Sequence, residues 1–237
     1  MMKNSVTCQH CKSENPFYRT TCLNCKSHLR DRVYNLDLWK TIGLLIENPS
    51  EAFKIIIFSE QKNFILFILI FASFKYLITT RFVAMSTLGE FQTSTGLIVS
   101  YLIVLACISG FMFLFAFLFT LIGKNFSLQT RFKDNLAILC YTQSTHVISL
   151  FILFPIELIV FGDYIFSLNP SPFVLKKNIA YLLSGIEIVF ILWSTLISFY
   201  AFYTQSKNIL SSLISTLIFK GFLSVLIMIL SILVFTV

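Results

Sequence analysis

The sequence predicts an all-α integral membrane protein, in which about five transmembrane helices and short interfacial helices follow a small cysteine-rich module. The composition is one reason, because 57% of the 237 residues are hydrophobic and only 12% are charged. A soluble globular domain is about a quarter charged, so this chain cannot cover its own surface in water. The distribution is the second reason, since long apolar stretches separated by short polar ones begin at Asn63.

The cysteine-rich module, residues 1–32, contains two pairs of cysteines at the same C-x2-C spacing, Cys8 with Cys11 and Cys22 with Cys25. Each pair can wrap a tight turn around one metal ion, and four thiolates together complete a tetrahedral coordination shell. We therefore predict a zinc ribbon with a structural Zn²⁺ site that has no open position for catalysis. Because so small a module has almost no hydrophobic core, the metal is expected to supply most of its folding free energy.

Other uses of the cysteines are less favoured by the sequence. Disulfide bonds are disfavoured because the module is expected to face a reducing cytoplasm, and a redox C-x2-C motif would need a surrounding βαβ pattern, which is absent. An iron–sulfur cluster stays open as an alternative, although two equal pairs favour zinc. His10 and His28 lie close enough to substitute as ligands, which four cysteines make unnecessary. Cys107 and Cys140 fall in apolar stretches and are interpreted as small buried residues.

Residues 33–62 form a transitional segment between the zinc ribbon and the membrane region. Apolar residues recur there at roughly helical spacing on both sides of the break Asn48-Pro49-Ser50-Glu51, and proline favours the first turn of a helix. Neither piece is long enough to cross a bilayer. We predict two short amphipathic helices that lie on the inner leaflet, with Trp39 near the depth of the lipid headgroups.

The membrane region, residues 63–237, contains five apolar stretches, the last of them barely long enough to cross a bilayer. The predicted spans are 63–80, 96–122, 135–161, 179–203 and 221–237. Arg81 is expected to end the first span. The stretch 205–220, which carries Lys207 and Lys220, is predicted to form another interfacial helix.

The distribution of basic residues predicts the orientation in the membrane. No signal peptide is visible, since the first 30 residues are polar, and the N-terminus is therefore expected in the cytoplasm. With that topology, 14 Lys and Arg lie in cytoplasmic segments and three, Arg81, Lys176 and Lys177, in external ones. This bias matches the positive-inside rule and puts the C-terminus outside, in the plasma or inner membrane of a bacterium. The same rule accounts for the net charge of +7, which therefore does not indicate a nucleic-acid partner.

Four ionisable residues lie inside the predicted spans, where such groups are costly and often functional: Lys75, His146, Glu157 and Glu187. Lys75, Glu157 and Glu187 each fall in the outer half of the bilayer, so we expect them to meet as one buried charge cluster. We favour a structural ion pair that fixes helix packing over a transport or ligand site. His146 lies near mid-span beside other polar residues and is expected to hydrogen-bond to neighbouring helices. No catalytic motif is present, and we do not expect an enzyme.

Two segments of the chain resemble a known family. The stretch from Trp39 to Phe53 with its Asn48-Pro49-Ser50 break, and the stretch from Arg131 to Tyr141, are similar to segments of the Yip family of Ypt/Rab-interacting membrane proteins. The resemblance covers about residues 33–237, and bacterial members with an N-terminal zinc ribbon are a subtype that this chain resembles. It implies a non-enzymatic membrane protein and names no substrate. One position departs, because many members carry a proline shortly after the tyrosine, where this chain has Thr145-His146.

Two functions are consistent with the sequence. We favour a non-enzymatic scaffold or accessory subunit, whose zinc ribbon docks a cytoplasmic protein while its helices contact membrane lipids and another membrane protein or a second copy of the chain. The alternative is a transporter component for a lipid or small solute, with Lys75, Glu157 and Glu187 along its path. A water-accessible cavity that reaches these three residues would favour transport, whereas a tightly packed bundle would favour scaffolding.

Overall fold

The computed structural model describes residues 4–88, 96–125, 127–167 and 171–235, and it confirms the predicted fold class. Five helical segments are long and apolar enough to cross a membrane: Ile65–Ala84, Leu97–Asn125, Phe132–Phe161, Lys177–Ser206 and Ile209–Val234. The elements in chain order are β1 (Ser5–Thr7), β2 (Glu14–Pro16), α1 (Leu38–Glu47), α2 (Pro49–Phe58), α3 (Ile65–Leu88), α4 (Leu97–Asn125), α5 (Phe132–Tyr141), α6 (Ser144–Phe161), α7 (Tyr164–Ser167), α8 (Pro172–Leu175), α9 (Lys177–Ser206) and α10 (Ile209–Phe235).

The chain divides into two compact units. Unit 1 comprises Met1–Leu66, Phe111–Thr142 and Leu196–Phe219, and unit 2 comprises Phe67–Gly110, Gln143–Thr195 and Lys220–Val237. The long helices α3, α4, α9 and α10 each contribute one portion to each unit. The four cysteines of the N-terminal module belong to unit 1, whereas all four intramembrane residues singled out by the sequence belong to unit 2.

The two short helices α1 and α2 meet at Asn48, where the sequence predicts a break. The backbone N–H of Asn48 donates to Leu44 O at 2.7 Å, which ends α1, and its side-chain oxygen accepts from the backbone N–H of Glu51 at 3.3 Å, which begins α2. Pro49 occupies the first turn of α2, where a missing N–H does no harm. Trp39 on α1 is 80% exposed; its position at the headgroups stays a prediction.

The N-terminal module packs against other parts of unit 1. Phe17 follows directly after β2, which pairs with β1 in antiparallel orientation. The centre of its ring lies 4.9 Å from the centre of the Phe58 ring at the end of α2. Asn4 makes two hydrogen bonds with the backbone of Gln129: its amide donates to the carbonyl at 3.2 Å and its side-chain oxygen accepts from the N–H at 3.0 Å. The module is therefore a fixed part of unit 1 and not a tethered appendage.

The third span is interrupted at Thr142 and Gln143, between α5 and α6. The backbone hydrogen bonds tighten at this point, because the N–H of His146 donates to Gln143 O, three residues earlier, at 3.0 Å. The Thr142 hydroxyl donates to Leu139 O at 2.7 Å. The interruption occurs without a proline at Thr145 or His146.

The ends of two helices differ from the prediction. Arg81 does not end the first span, since α3 continues to Leu88 and the Arg81 side chain is buried within it. The stretch 205–220 is not a separate interfacial helix, because its residues from Ile209 onward belong to the same helix, α10, as the last span. Its hydroxyls bond carbonyls of the preceding turn, Ser212 to Asn208 O at 2.6 Å and Thr216 to Ser212 O at 2.7 Å. Hydroxyl groups that are hydrogen-bonded to the helix backbone in this way can lie inside a membrane span and do not need contact with water.

Candidate metal centre and intramembrane charge cluster

The four cysteines lie on two tight turns that repeat one another. Lys12 N–H donates to Cys8 O at 3.0 Å, and Lys26 N–H donates to Cys22 O at 3.2 Å. The residue that ends each turn has a left-handed backbone, with φ of 60° at Lys12 and 57° at Lys26. Such turns point the two sulfurs of a C-x2-C pair, and nearby backbone amides, toward a common point.

The sulfur atoms of Cys8, Cys11, Cys22 and Cys25 all lie within 4.8 Å of one another. Across the two turns, Cys8 Sγ is 3.6 Å from Cys25 Sγ and Cys11 Sγ is 3.5 Å from Cys22 Sγ. A tetrahedral ion with metal–sulfur bonds of about 2.3 Å places its ligand sulfurs roughly 3.8 Å apart, whereas a disulfide needs about 2.05 Å. All four cysteines are free, and their spacing fits one metal ion.

Two serines that the sequence analysis missed connect the turns. Ser13 Oγ lies 2.9 Å from Cys11 Sγ and 3.2 Å from Cys22 Sγ, and Ser27 Oγ lies 3.0 Å from Cys25 Sγ and 3.1 Å from Cys8 Sγ. Each hydroxyl therefore reaches the second cysteine of its own turn and the first cysteine of the other. The signal was present in the sequence, because both pairs are followed by Lys and Ser.

These hydroxyls favour the thiolate form, which is the form that binds metal. The Ser27 hydroxyl is the main cause of a lowered pKa at Cys8, and the Ser13 hydroxyl is the main cause of a Cys22 pKa lowered to about 5. His28 is not needed as a ligand, since its Nε2 lies 3.2 Å from Asp31 Oδ1 on the exposed side of the module. His10 is exposed as well.

Cationic side chains fasten the module to the rest of unit 1. The guanidinium of Arg30 lies 3.5 Å from the centre of the Phe58 ring, and that of Arg131 lies 4.4 Å from the centre of the Tyr18 ring. Lys207 Nζ lies 5.0 Å from the centre of the Phe17 ring. Each such contact contributes about 0.5–2 kcal/mol. Phe17, Tyr18 and Arg30 of the module are thus used in contacts within the chain.

An ion network in unit 1, formed by the buried Lys62 and Asp134 with Arg131, whose side chain is 31% exposed, is the second feature that sequence analysis missed. Asp134 accepts from Lys62 Nζ at 3.0 Å and from Arg131 at 2.6 and 3.1 Å, and the Asp134 side chain is 1% exposed. Both cations also donate to Ile57 O, Lys62 at 3.0 Å and Arg131 at 3.2 Å. Burial lowers the pKa of Lys62 to about 8, although the Asp134 carboxylate acts in the opposite direction. Every charge in this network has at least two polar partners.

In unit 2 the structure brings together Lys75 and Glu187, which form an ion pair. Lys75 lies near the middle of its span, deeper than the sequence analysis placed it, because α3 extends beyond Arg81. The Ser149 hydroxyl lies 3.3 and 3.4 Å from the two oxygens of Glu187 and donates to them. The Lys75 side chain is 2% exposed and that of Glu187 is 23% exposed.

A cavity of about 370 Å³ in unit 2 reaches this ion pair; we call it the charged cavity. Its wall includes Lys75, Glu157, Glu187 and the rings of Phe82, Phe161 and Phe173. Glu157 is 2% exposed, and its Oε2 has no hydrogen-bond partner among the residues that the structure describes. Three of the four predicted intramembrane residues therefore meet at one cavity.

His146, the fourth residue, does not line the charged cavity. Its ring lies 4.9 Å from the ring of Tyr76, whose hydroxyl donates to Gln143 Oε1 at 2.6 Å. This buried polar contact joins α3 to the beginning of the second half of the third span. The structure thus gives His146 a ring contact between helices, and the hydrogen bond expected of it stays a prediction.

A second cavity in unit 2, of about 480 Å³, offers a contrast; we call it the apolar cavity. Its described wall carries no charged side chain, and includes Ile70, Phe71, Leu97, Leu150, Phe154 and Pro155. The hydroxyl of Tyr101, which also lines it, donates to Ile70 O at 3.1 Å. Such a wall has no group that would fix the orientation of a ligand.

Comparison with models of protein families, with curated proteins and with solved structures gives no match. The function of this chain therefore has to follow from its two sites. The N-terminal site can hold a metal ion between four sulfurs. The charged cavity offers a buried, partly uncompensated set of charges to anything that enters it.

Proposed function

We propose that this protein is a membrane component that binds and helps to transport a lipid or small solute in the charged cavity. The observation that carries the proposal is Glu157: a carboxylate at the wall of the cavity, 2% exposed, whose Oε2 has no hydrogen-bond partner in the described chain. The sequence alone favours a scaffold, and it makes a water-accessible cavity at this cluster the feature that would favour transport. A cavity lies at this cluster, and its access to water is part of the proposal. The cavity is the reason for the change.

The charge balance supports a binding role over a structural one. A structural ion pair needs one cation and one anion, and Lys75 with Glu187 already forms it. Glu157 adds a second carboxylate, and an uncompensated charge taken out of water costs several kcal/mol. Ionisable residues retained at that cost within a membrane segment are by default functional.

The size and lining of the charged cavity support the same proposal. Its volume of about 370 Å³ falls in the range of ligand-binding sites, roughly 300–1,000 Å³. Most of its wall is apolar, and a few polar groups converge at one place, which is the usual composition of such sites. Part of the wall, Phe161, Ala180 and Leu183, belongs to a buried hydrophobic cluster and is held in place by it.

For the N-terminal module we propose Zn²⁺ as the ion and a structural role. Four thiolates in a closed tetrahedral set suit zinc, and the ion would supply the folding free energy that the three-residue strands cannot. Cys8, Cys11, Cys22 and Cys25 would hold it, and Ser13 and Ser27 would keep their sulfurs oriented. Since its aromatic residues and Arg30 pack against the rest of unit 1, the module would stabilise that unit.

A scaffold or accessory subunit is the second candidate, and one observation favours it. Outside the candidate spans, Trp39 is 80% exposed and Tyr34 is 62% exposed, and large exposed aromatic side chains are typical of contact surfaces. A lipid interface would use Trp39 equally well. The resemblance to the Yip family stays a prediction, and it is compatible with either candidate.

The proposed function is tested by native mass spectrometry of protein purified in mild detergent. Ser184 lines the charged cavity and Ile70 lines the apolar one, so Ser184→Phe and Ile70→Phe fill the two cavities separately. We expect a non-protein adduct on the unaltered chain, at least about tenfold less of it on S184F, and an unchanged amount on I70F. Equal adducts on all three proteins, or none on any, would contradict a ligand in the charged cavity.

A further inference from the structure

Among the described residues that line it, the charged cavity has two carboxylates, Glu157 and Glu187, and one cation, Lys75. Lys75 is paired with Glu187, and Ser149 donates to the same carboxylate. Glu157 lines the same cavity, and its Oε2 is buried without a hydrogen-bond partner among the described residues. We infer that the ligand of this cavity carries a positively charged ammonium group on an apolar body, an inference that rests on the proposed function and specifies its ligand class.

The direction of the hydrogen bonds in the cavity supports a ligand that donates. The Thr79 hydroxyl, which lines the cavity, already donates to Lys75 O at 3.0 Å, so its oxygen is left as an acceptor. Glu157 and Glu187 are acceptors when ionised. The one strong donor, Lys75, is engaged by Glu187. An anionic ligand would therefore meet two carboxylates and a cation that is already neutralised.

The aromatic rings of the wall favour an organic cation. Phe82, Phe161 and Phe173 line the cavity, and the faces of aromatic rings attract ammonium groups by about 0.5–2 kcal/mol, more strongly where water is excluded. The remaining wall is largely aliphatic, including Ile78, Val83, Leu183, Ile188 and Ile191. That surface suits a hydrocarbon body and offers nothing to a hydrated inorganic ion.

A bare metal cation fits this wall poorly. Hard cations such as Ca²⁺ need six to eight oxygen ligands at short distances. The polar side chains of the charged cavity are the two glutamates, Thr79, Ser184 and Lys75, and one of the glutamates is bound to the lysine. An ammonium group asks for fewer acceptors and tolerates an aromatic neighbour, so it matches the groups that are present.

The test uses three probes with the same ten-carbon chain and different heads: decyltrimethylammonium, 1-decanol and decyl phosphate. Each is added below its micelle concentration to the full chain in mild detergent, and binding is measured by native mass spectrometry and by the shift in Tm. We expect the ammonium probe to bind at least about tenfold more tightly than either of the others. Equal or tighter binding of the neutral or anionic probe overturns the inference, without the need for any variant.

Glu157→Gln assigns the preference to this carboxylate, and Glu47→Gln on the exposed end of α1 is the matched control. We expect E157Q to bind the ammonium and neutral probes within about threefold of one another, while E47Q keeps the tenfold preference. A preference that survives in E157Q contradicts the assignment. Binding of all three probes alike, abolished by S184F, would sink the ammonium inference and leave the proposed function standing; no binding of any probe would sink both.

The ammonium group has two sources that the same instrument separates. Nanodiscs are prepared with equal amounts of phosphatidylethanolamine and phosphatidylglycerol that share their acyl chains. Retention of phosphatidylethanolamine by the unaltered chain and not by E157Q supports a lipid headgroup as the ligand. Binding of decyltrimethylammonium without lipid selectivity supports a free amphiphilic amine.

Discussion

Two buried ion clusters in this protein have opposite balances of charge. In unit 1 one carboxylate, Asp134, is shared by two cations, Lys62 and Arg131. In unit 2 one cation, Lys75, lies near two carboxylates. It pairs with Glu187, whereas Oε2 of Glu157 has no hydrogen-bond partner among the described residues. Each cluster joins distant segments of the chain, through the pair Lys62–Asp134 in unit 1 and the pair Lys75–Glu187 in unit 2.

The excess charge is handled differently in the two clusters. In unit 1 a backbone carbonyl compensates the second cation, because Lys62 and Arg131 both donate to Ile57 O. This carbonyl lies at the end of α2, where carbonyls lack helical partners. The surplus carboxylate in unit 2 faces a cavity. A network satisfied throughout holds a structure together, whereas one left incomplete beside a cavity is able to bind something else.

Removal of the metal is the largest change we predict, and it concerns unit 1. A structural zinc contributes about 10–16 kcal/mol of apparent binding free energy in small modules, so a strong chelator or Cys8→Ser with Cys22→Ser should unfold residues 4–32. Trypsin is then expected to cut fully at Arg19, Lys26 and Arg30, and elemental analysis of the untreated protein should give one zinc per chain.

The same experiment distinguishes the two clusters. Loss of the module removes the ring of Tyr18 from Arg131 but none of the groups that line the charged cavity, so adduct retention should not change. The matched control is Cys107→Ser, a cysteine outside the metal set, which should leave tryptic cleavage as it is. Iron in place of zinc would overturn the choice of metal, and a module that resists trypsin without metal would overturn its role.

Asp134→Asn should produce the largest destabilisation among single substitutions in the two clusters. Removing one partner of a buried ion pair costs about 3–5 kcal/mol, and here two cations lose their carboxylate at once. For a chain of this size that corresponds to a decrease in Tm of roughly 10 °C. Thermal unfolding in detergent measures it, with the exposed Asp163→Asn as the matched control.

A D134N protein as stable as D163N would mean that the carbonyls of α2 suffice for both cations. The Asp134 carboxylate would then contribute nothing to the stability of unit 1. A second substitution tests the same point. Lys62→Met in the D134N background removes one of the two cations left without a carboxylate, and it should recover part of the lost Tm.

Local patterns in the sequence predicted what depends on neighbouring residues. The C-x2-C spacing brought two sulfurs together within each turn, and Asn48-Pro49 fixed the boundary between α1 and α2. Composition and the length of apolar stretches predicted five spanning helices. These features follow from short-range geometry and from the hydrogen-bonding demand of a backbone in lipid.

What the sequence did not predict depends on contacts between distant residues or on space that is left empty. The partners Lys62 and Asp134 lie in different segments, and Asp134 was treated as part of a loop because Asn135 was taken to begin the span. The pairing of Lys75 with Glu187 joins residues 112 positions apart. No pattern in the chain reports that packing leaves a cavity beside Glu157, or that Ser212 and Thr216 are satisfied within α10.

Lys75→Met should destabilise unit 2, but by less than D134N destabilises unit 1. It removes the cation from beside two carboxylates, but the Ser149 hydroxyl still donates to Glu187, so we expect about 2–3 kcal/mol. The measurement is again Tm in detergent, with Lys54→Met on the exposed face of α2 as the control. Lys75→Met combined with Glu187→Met should be more stable than K75M alone, because replacing both members of a pair avoids an unpaired charge.

Glu157→Gln is expected to have the smallest effect on stability, and that result would sharpen the comparison most. The substitution is the same exchange of carboxylate for amide as D134N, at a similarly buried position, but it removes a carboxylate that shares Lys75 with Glu187 and has no hydrogen-bond partner at Oε2 among the described residues. We therefore expect a Tm between unchanged and a few degrees higher, against the exposed Glu47→Gln as reference. If E157Q instead lost as much Tm as D134N, Glu157 would have to be held by a partner of its own in the folded protein, and the two clusters would be structural in the same sense. An unchanged or raised Tm together with loss of the ammonium preference would mean that this carboxylate serves binding and contributes nothing to folding.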